Sequence, residues 1–192
     1  MRTWIVLFFV ALSSCCGTVV RESTSSSFLI IDAIEAASGS RGQFVSILES
    51  DVVTVVDAAP TILQDLGRVT FSVGLKDPAL AGGTGPSTVN IITVDRYRVR
   101  YVRADGRNTP GVDVPYGFDG AFTLTVAQQS SATFVLVRAQ AKAEAPLAAL
   151  ARDLVFISTI AEVTFFGRDQ TGRAVSVAGR IDVHFGNWTD PQ

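Results

Sequence analysis

The sequence predicts an all-β fold, an antiparallel sandwich of about seven strands with one or two short helices. Three observations carry this. Apolar and polar residues alternate through most of residues 28–192, the period of half-buried strands. The joints between alternating runs are rich in Gly, Asp, Asn and Pro, the residues turns require. Helical spacing is confined to two short stretches.

The first strand is "SFLIIDAIEA". In "RVTFSVGLK", Val69, Phe71, Val73 and Leu75 alternate with Thr70, Ser72 and Gly74. "VNIITVDRYRVRYVR" follows, then "AFTLTV", with Phe122, Leu124 and Val126 on one face. "ATFVLVRAQA" is apolar on both faces, as a strand buried on both sides would be. In the last piece Ala161, Val163 and Phe165 face inward, a turn follows at Asp169 to Gly172, and Val175, Val177, Ile181, Val183 and Phe185 face inward on the return. Two stretches fit short helices instead. In "QFVSILESDVV", Phe44, Ile47, Leu48 and Val52 recur at helical spacing; in "APLAALARDL", Pro146 stands at a helix start ahead of Leu147, Leu150 and Ala151.

The N-terminus has a different character. Trp4 to Leu12 are apolar, too few for a spanning helix of about 20 residues. Arg2 precedes them and Ser13 and Ser14 follow, the order of a secretory signal. The run ends in Leu12-Ser13-Ser14-Cys15, which resembles the bacterial lipoprotein signal. That resemblance implies that residues 1–14 are a signal peptide and that Cys15 is lipidated as the first mature residue. It also implies outer-membrane sorting, because Cys16 and not Asp follows. An ordinary cleaved signal with incidental cysteines is the alternative. Adjacent cysteines do not readily bridge each other, and the chain has only these two, so no disulfide staples the domain. Residues 15–27 then read as the lipidated Cys and a Ser-rich flexible tether, of which the eleven residues after Cys16 reach about 35–40 Å at most.

Residues 28–192 are enough for one domain with a proper core. Without residues 1–14 the chain has 15 basic and 18 acidic side chains, too mild a balance to imply nucleic acid as partner. The final hairpin with its "GRDQTG" turn resembles the closing strands of bacterial immunoglobulin-like or fibronectin-like domains, without the paired cysteines of antibody-type domains. The chain as a whole is similar to bacterial lipoproteins from which no activity carries over.

No catalytic residue and no metal ligand is nominated. His184 is the sole histidine and shares an outward face with Arg180 and Asp182, which leaves no triad or His-rich metal site to build. "AGGTGPS" lacks the Lys and the strand-to-helix setting of a phosphate loop. Asp105, Asn108, Asp113 and Asp119 offer oxygens that calcium prefers, but their spacing matches no calcium loop and turn chemistry accounts for them. Glu35, Glu49, Glu144 and Glu162 are scattered, so no glycosidase pair is selected. "NWT" at 187–189 formally matches a glycosylation acceptor, which means little in a bacterial lipoprotein.

Arg96, Arg98 and Arg100 alternate with Tyr97, Val99 and Tyr101. They form either a cationic stripe for an acidic polymer or a solvated face paired with neighbouring carboxylates such as Glu162. With strands alternating in direction, chain entry shares one end with the connections near 76–88, 127–131 and 168–172. The connections near 37–66, 103–119 and 142–153 share the other. Loops usually carry function, so this distal end is the expected partner surface, with Tyr116 and Phe118 as aromatic anchors. The expectation is a lipid-anchored, non-enzymatic envelope domain without cofactor that binds another envelope protein or glycan. A carbohydrate- or calcium-dependent binding module, and then an envelope enzyme, are the alternatives.

Overall fold

The computed structural model describes residues 25–76 and 90–188. The signal run, Cys15, most of the tether and the glycine-rich 81–87 segment lie outside the described residues.

The described chain is mostly strand: β1 (Ser27–Ala37), β2 (Ile47–Asp51), β3 (Thr54–Val56), β4 (Ala59–Thr61), β5 (Asp65–Leu75), β6 (Ile92–Val102), β7 (Phe118–Val126), β8 (Gln129–Val137), β9 (Ile157–Asp169) and β10 (Ala174–Gly186). Helices α1 (Ala139–Ala143) and α2 (Leu147–Leu150) lie between β8 and β9. One sheet has the order β1-β5-β8 and is antiparallel; the other has the order β2-β10-β9-β6-β7; β3 and β4 pair as a small hairpin. The seven long strands are the seven the alternation predicts.

Two expectations are corrected. Residues 47–51 form strand β2 and not a helix, and β2 runs parallel to β10, so the larger sheet is mixed. The helical spacing misleads because a polar residue takes an inward position. Leu48, Ser50 and Val52 are all fully buried, and the Ser50 hydroxyl is spent on a buried carboxylate. The second expected helix forms as α2, directly after Pro146, and buries Leu147 and Leu150.

The sheets pack face to face through aromatic rings. Phe165 on β9 meets Phe71 on β5 at 5.0 Å and Phe134 on β8 at 5.3 Å, both edge to face. Two tyrosines tie the sheets with hydrogen bonds as well. The Val135 amide donates to the Tyr97 hydroxyl at 3.2 Å, and the Tyr101 hydroxyl donates to the Leu136 carbonyl at 2.7 Å. Both partners belong to β8, the outer strand of its sheet, so the hydroxyls satisfy backbone groups at an edge. Burial pushes the Tyr101 phenol far up, which keeps it a donor.

Bulges keep the long strands in phase with the core. In β6, Ile92 and Val94 point inward, and so do Tyr97, Val99 and Tyr101; the parity switch between Val94 and Tyr97 is absorbed by a bulge at Asp95 in the pairing with β9. In β1 the inward set shifts likewise, from Leu29 and Ile31 to Ile34 and Ala36, across an irregularity at Asp32. The Asp32 carboxylate accepts from the Ser72 hydroxyl and the Gln129 amide.

The β9–β10 turn forms where the sequence places it, with Gly172 at φ 82°. Asp169 Oδ1 accepts from the Thr171 amide and hydroxyl and from the Arg173 amide. Partial burial pushes this carboxyl up, but the hydrogen bonds from Thr171, Ser25 and Arg173 outweigh it and leave the group below its ordinary value. A carboxyl lowered by folding adds stability above its unfolded pKa of about 4, and that stability is lost as pH falls through the folded value. Asp169→Asn, which cannot titrate, is therefore expected to flatten the fall in urea midpoint between about pH 5 and pH 3. An unchanged slope would contradict this reading of the turn.

Candidate functional site

The strand registers define two ends. Ser27 pairs with Leu75, Ile92 with Val126 and with Asp169, so chain entry, the β7–β8 turn and the β9–β10 turn lie together. Ala37 pairs with Leu66, Asp65 with Val137, and Val99 with Phe118 at the opposite, distal end. The connections that follow β1, β6 and β8, with both helices and the β3–β4 hairpin, therefore gather distally, as the alternating strand directions predict.

A buried ionic network forms the base of this end. Asp65 opens β5 with no exposure and Lys142 on α1 is 1% exposed. Lys142 Nζ donates to Asp65 Oδ1 at 2.8 Å and to the Asp51 carbonyl at 2.7 Å. Asp65 also accepts from the Ser50 hydroxyl and, at 2.9 Å, from the Gly39 amide. Burial pushes the Asp65 carboxyl up, against the pull of Lys142, Ser50 and Gly39. The Trp188 amide and indole N–H reach the Asp51 carboxylate and the Ser50 carbonyl. Five segments distant in sequence are thus fastened at one place: residue 39, the end of β2, the start of β5, α1 and residue 188. Sequence reasoning missed this network because a lone Lys in "AQAKAEA" and a lone Asp in "QDLG" look like solvated residues.

Above this base the loops expose apolar side chains. Val112 is 68% exposed, Leu154 fully, and Val155 and Phe156 about 60%. Tyr116, Val55, Val56 and Ile62 are exposed as well. Leu154, Val155 and Phe156 are consecutive, and such a run in solvent marks a contact surface more often than a structural need. The sequence signal lies in "DLVF", whose first two residues also end the helix-like stretch "APLAALARDL".

The two nominated anchors differ. Tyr116 stands exposed with its ring against Gly111, whose φ of 79° and lack of Cβ leave room for it. Phe118 is half-buried, 6.2 Å from Tyr97 and covered by the Arg138 guanidinium at 4.6 Å. It closes the core and presents little surface.

The acidic loop residues are used locally. Asp105 pairs with Arg103 and Arg107, whose hydrogen bonds hold its carboxyl far below the usual range. Asn108 accepts from the Arg103 amide, Asp113 from the Thr109 amide, and Asp119 pairs with Arg98. Among the described residues no group of three or more His, Cys, Asp or Glu side chains is placed to share a metal ion.

The arginine stripe lies on the outer face of the larger sheet, opposite buried Tyr97, Val99 and Tyr101. Arg98 forms two hydrogen bonds to Asp119. Arg96 stacks on Phe166 at 4.5 Å. Arg100 faces Glu162 in register, but that carboxylate accepts from Arg180 at 2.8 Å. His184 is half-buried on the same face, with Nδ1 2.9 Å from the Ser158 hydroxyl across the strand pair. Glu49 lies beside it in register and pairs with Arg41.

No helix among the described residues is long and apolar enough to cross a membrane. Comparison with known proteins returns no matching family model and no matching curated protein.

Proposed function

We propose that this chain is a lipid-anchored protein of the bacterial cell envelope, held to the outer membrane through Cys15. Its immunoglobulin-like sandwich binds or scaffolds another envelope component, protein or glycan, and performs no chemistry. The observation that carries the reading is the placement of exposed apolar loop residues at the end of the domain opposite chain entry. A domain tethered at one end and adhesive at the other presents its apolar tips away from the lipid. The buried Asp65–Lys142 network beneath them supports it, because it fixes the loops on a rigid base and limits the ordering entropy lost on binding.

Two experiments test the halves separately. Cys15→Ser is expected to move the protein from the membrane to the soluble fraction, since stable anchoring depends on the acyl chains. A variant that stays with the membrane would remove the anchor from the account. Tyr116→Ala combined with Phe156→Ala is expected to weaken partner binding at least about tenfold with the melting temperature little changed, as exposed aromatic anchors behave. Phe118→Ala is expected to lower stability instead. Binding untouched by the first pair would refute the distal surface.

A further inference from the structure

We infer that the outer face of the larger sheet carries a second site, near the chain-entry end, that takes a saccharide bearing a carboxylate or a phosphate. It lies apart from the distal loops and does not rest on their role.

The site is a cavity of about 440 Å³ where β6, β9 and β10 run side by side. Its shape follows from the bulge at Asp95. The extra residue sends both Asp95 and Arg96 to the outer face, where both are exposed. Gly167 lets the strands close beneath, because a Cβ there would collide with the Thr93 carbonyl oxygen. On β10 the outward residues are short, Ala174 and Ser176, so long side chains wall a hollow floored by backbone. The volume is in the range of about 300–1,000 Å³ typical of small-molecule sites.

The walls carry unspent donors. Arg96 is held over the Phe166 ring and makes no hydrogen bond or ion pair among the described residues. A stacked guanidinium keeps its planar fork fixed and ready for a carboxylate or phosphate. Arg168 is anchored by one hydrogen bond from Nη1 to the Gly172 carbonyl, and its other N–H groups make no further hydrogen bond among the described residues. Ser176 adds a hydroxyl. Arg96 and Arg168 outnumber the one lining carboxylate, Asp95, and the nearby Asp119, which also feels Arg96, is paired with Arg98, so the hollow is cationic within an acidic protein. Asp95 supplies what a bare anion does not need, an acceptor for the hydroxyls of the molecule that carries the charge. Together these groups match an acidic sugar better than a neutral sugar or a free ion.

Calorimetric titration of the full chain in detergent tests this, with D-glucuronate, glucose 6-phosphate, glucose and inorganic phosphate as probes. The inference expects one of the two acidic sugars to bind with a Kd of about 1 mM or tighter, and glucose not to bind at that strength. Arg96→Ala with Arg168→Ala is expected to weaken that binding at least about tenfold, and Asp95→Asn to weaken it without abolishing it. Ser176→Leu, which fills the hollow and leaves the arginines, is expected to remove binding while the melting temperature stays within a few degrees. Absence of binding by both acidic sugars overturns the site. Equal affinity for inorganic phosphate and the sugars overturns its saccharide character, and binding unchanged in Ser176→Leu overturns its location.

Discussion

Lys142→Ala is expected to destabilise the domain by about 3–5 kcal/mol, the loss that follows when one partner of a buried ion pair is removed. Asp65 would remain with no exposure, deprived of its cation and still aimed into the interior. The Asp51 carbonyl would lose its donor as well. For a domain of this size the deficit corresponds to a fall in melting temperature of roughly 6–20 °C. The sign of its pH dependence is also fixed. Burial already raises the Asp65 carboxyl, and without Lys142 nothing of comparable strength opposes it. A group raised by folding takes up its proton more readily in the folded state, so the variant regains stability as pH is lowered and loses it as pH rises through the folded value. Replacing both partners, Lys142→Met with Asp65→Leu, is expected to cost less than the sum of the two single changes, because no uncompensated charge is then buried. Urea unfolding of the unmodified protein, Lys142→Ala, the two single changes Lys142→Met and Asp65→Leu, and their combination, at pH 5 and pH 7, measures all of this. Additive losses would mean that the pair does not act as a unit.

Phe165→Ala is expected to cost a similar amount, about 3–5 kcal/mol, by a different mechanism. Its ring has no exposure and lies at the centre of the aromatic contacts between the sheets, 5.0 Å from Phe71, 5.3 Å from Phe134 and about 6 Å from Tyr97 and Phe122. Truncation forfeits the transfer energy of the ring and leaves a cavity that strands fixed by their ladders cannot close. The loss is expected to be independent of pH, unlike that at Lys142, since no charge is exposed or stranded. Phe166, the next residue, lies on the outer face under Arg96, and Phe166→Ala is expected to change stability far less. A Phe166 variant as damaged as the Phe165 variant would show that the strand faces are assigned the wrong way round.

What the sequence disclosed and what it hid separate along physical lines. Stretches whose inward residues are all apolar, such as the part of β5 beyond its buried Asp65 with Val69, Phe71 and Val73, are plain from their alternation. The β9–β10 turn was plain as well, since Asp169 and Gly172 have few other uses in that pattern. β2 was hidden because Ser50 occupies an inward position and sends its hydroxyl to Asp65. Its parallel pairing with β10 joins residues more than a hundred positions apart, for which no local pattern exists. The Lys142–Asp65 pair was hidden for the same reason, since each half is ordinary until the fold brings them together. The bulge at Asp95 stands in the sequence as a parity switch between Val94 and Tyr97, which the alternation of Arg96, Arg98 and Arg100 does not mark. The cavity beside Arg96 arises only when Phe166, Arg168 and Ser176 arrive from two other strands.

The proposal that the domain is anchored at one end and adhesive at the other is tested most directly by photo-crosslinking from single positions in native membranes. A photoreactive residue is placed in turn at Tyr116, Leu154 and Phe156 in the distal loops, and at Thr171 in the turn at the entry end. The account predicts that the three distal positions crosslink one common envelope component while Thr171 does not, and that Phe156→Ser abolishes the crosslink from Tyr116. Crosslinks to that component from Thr171 alone, with none from the distal loops, would contradict it.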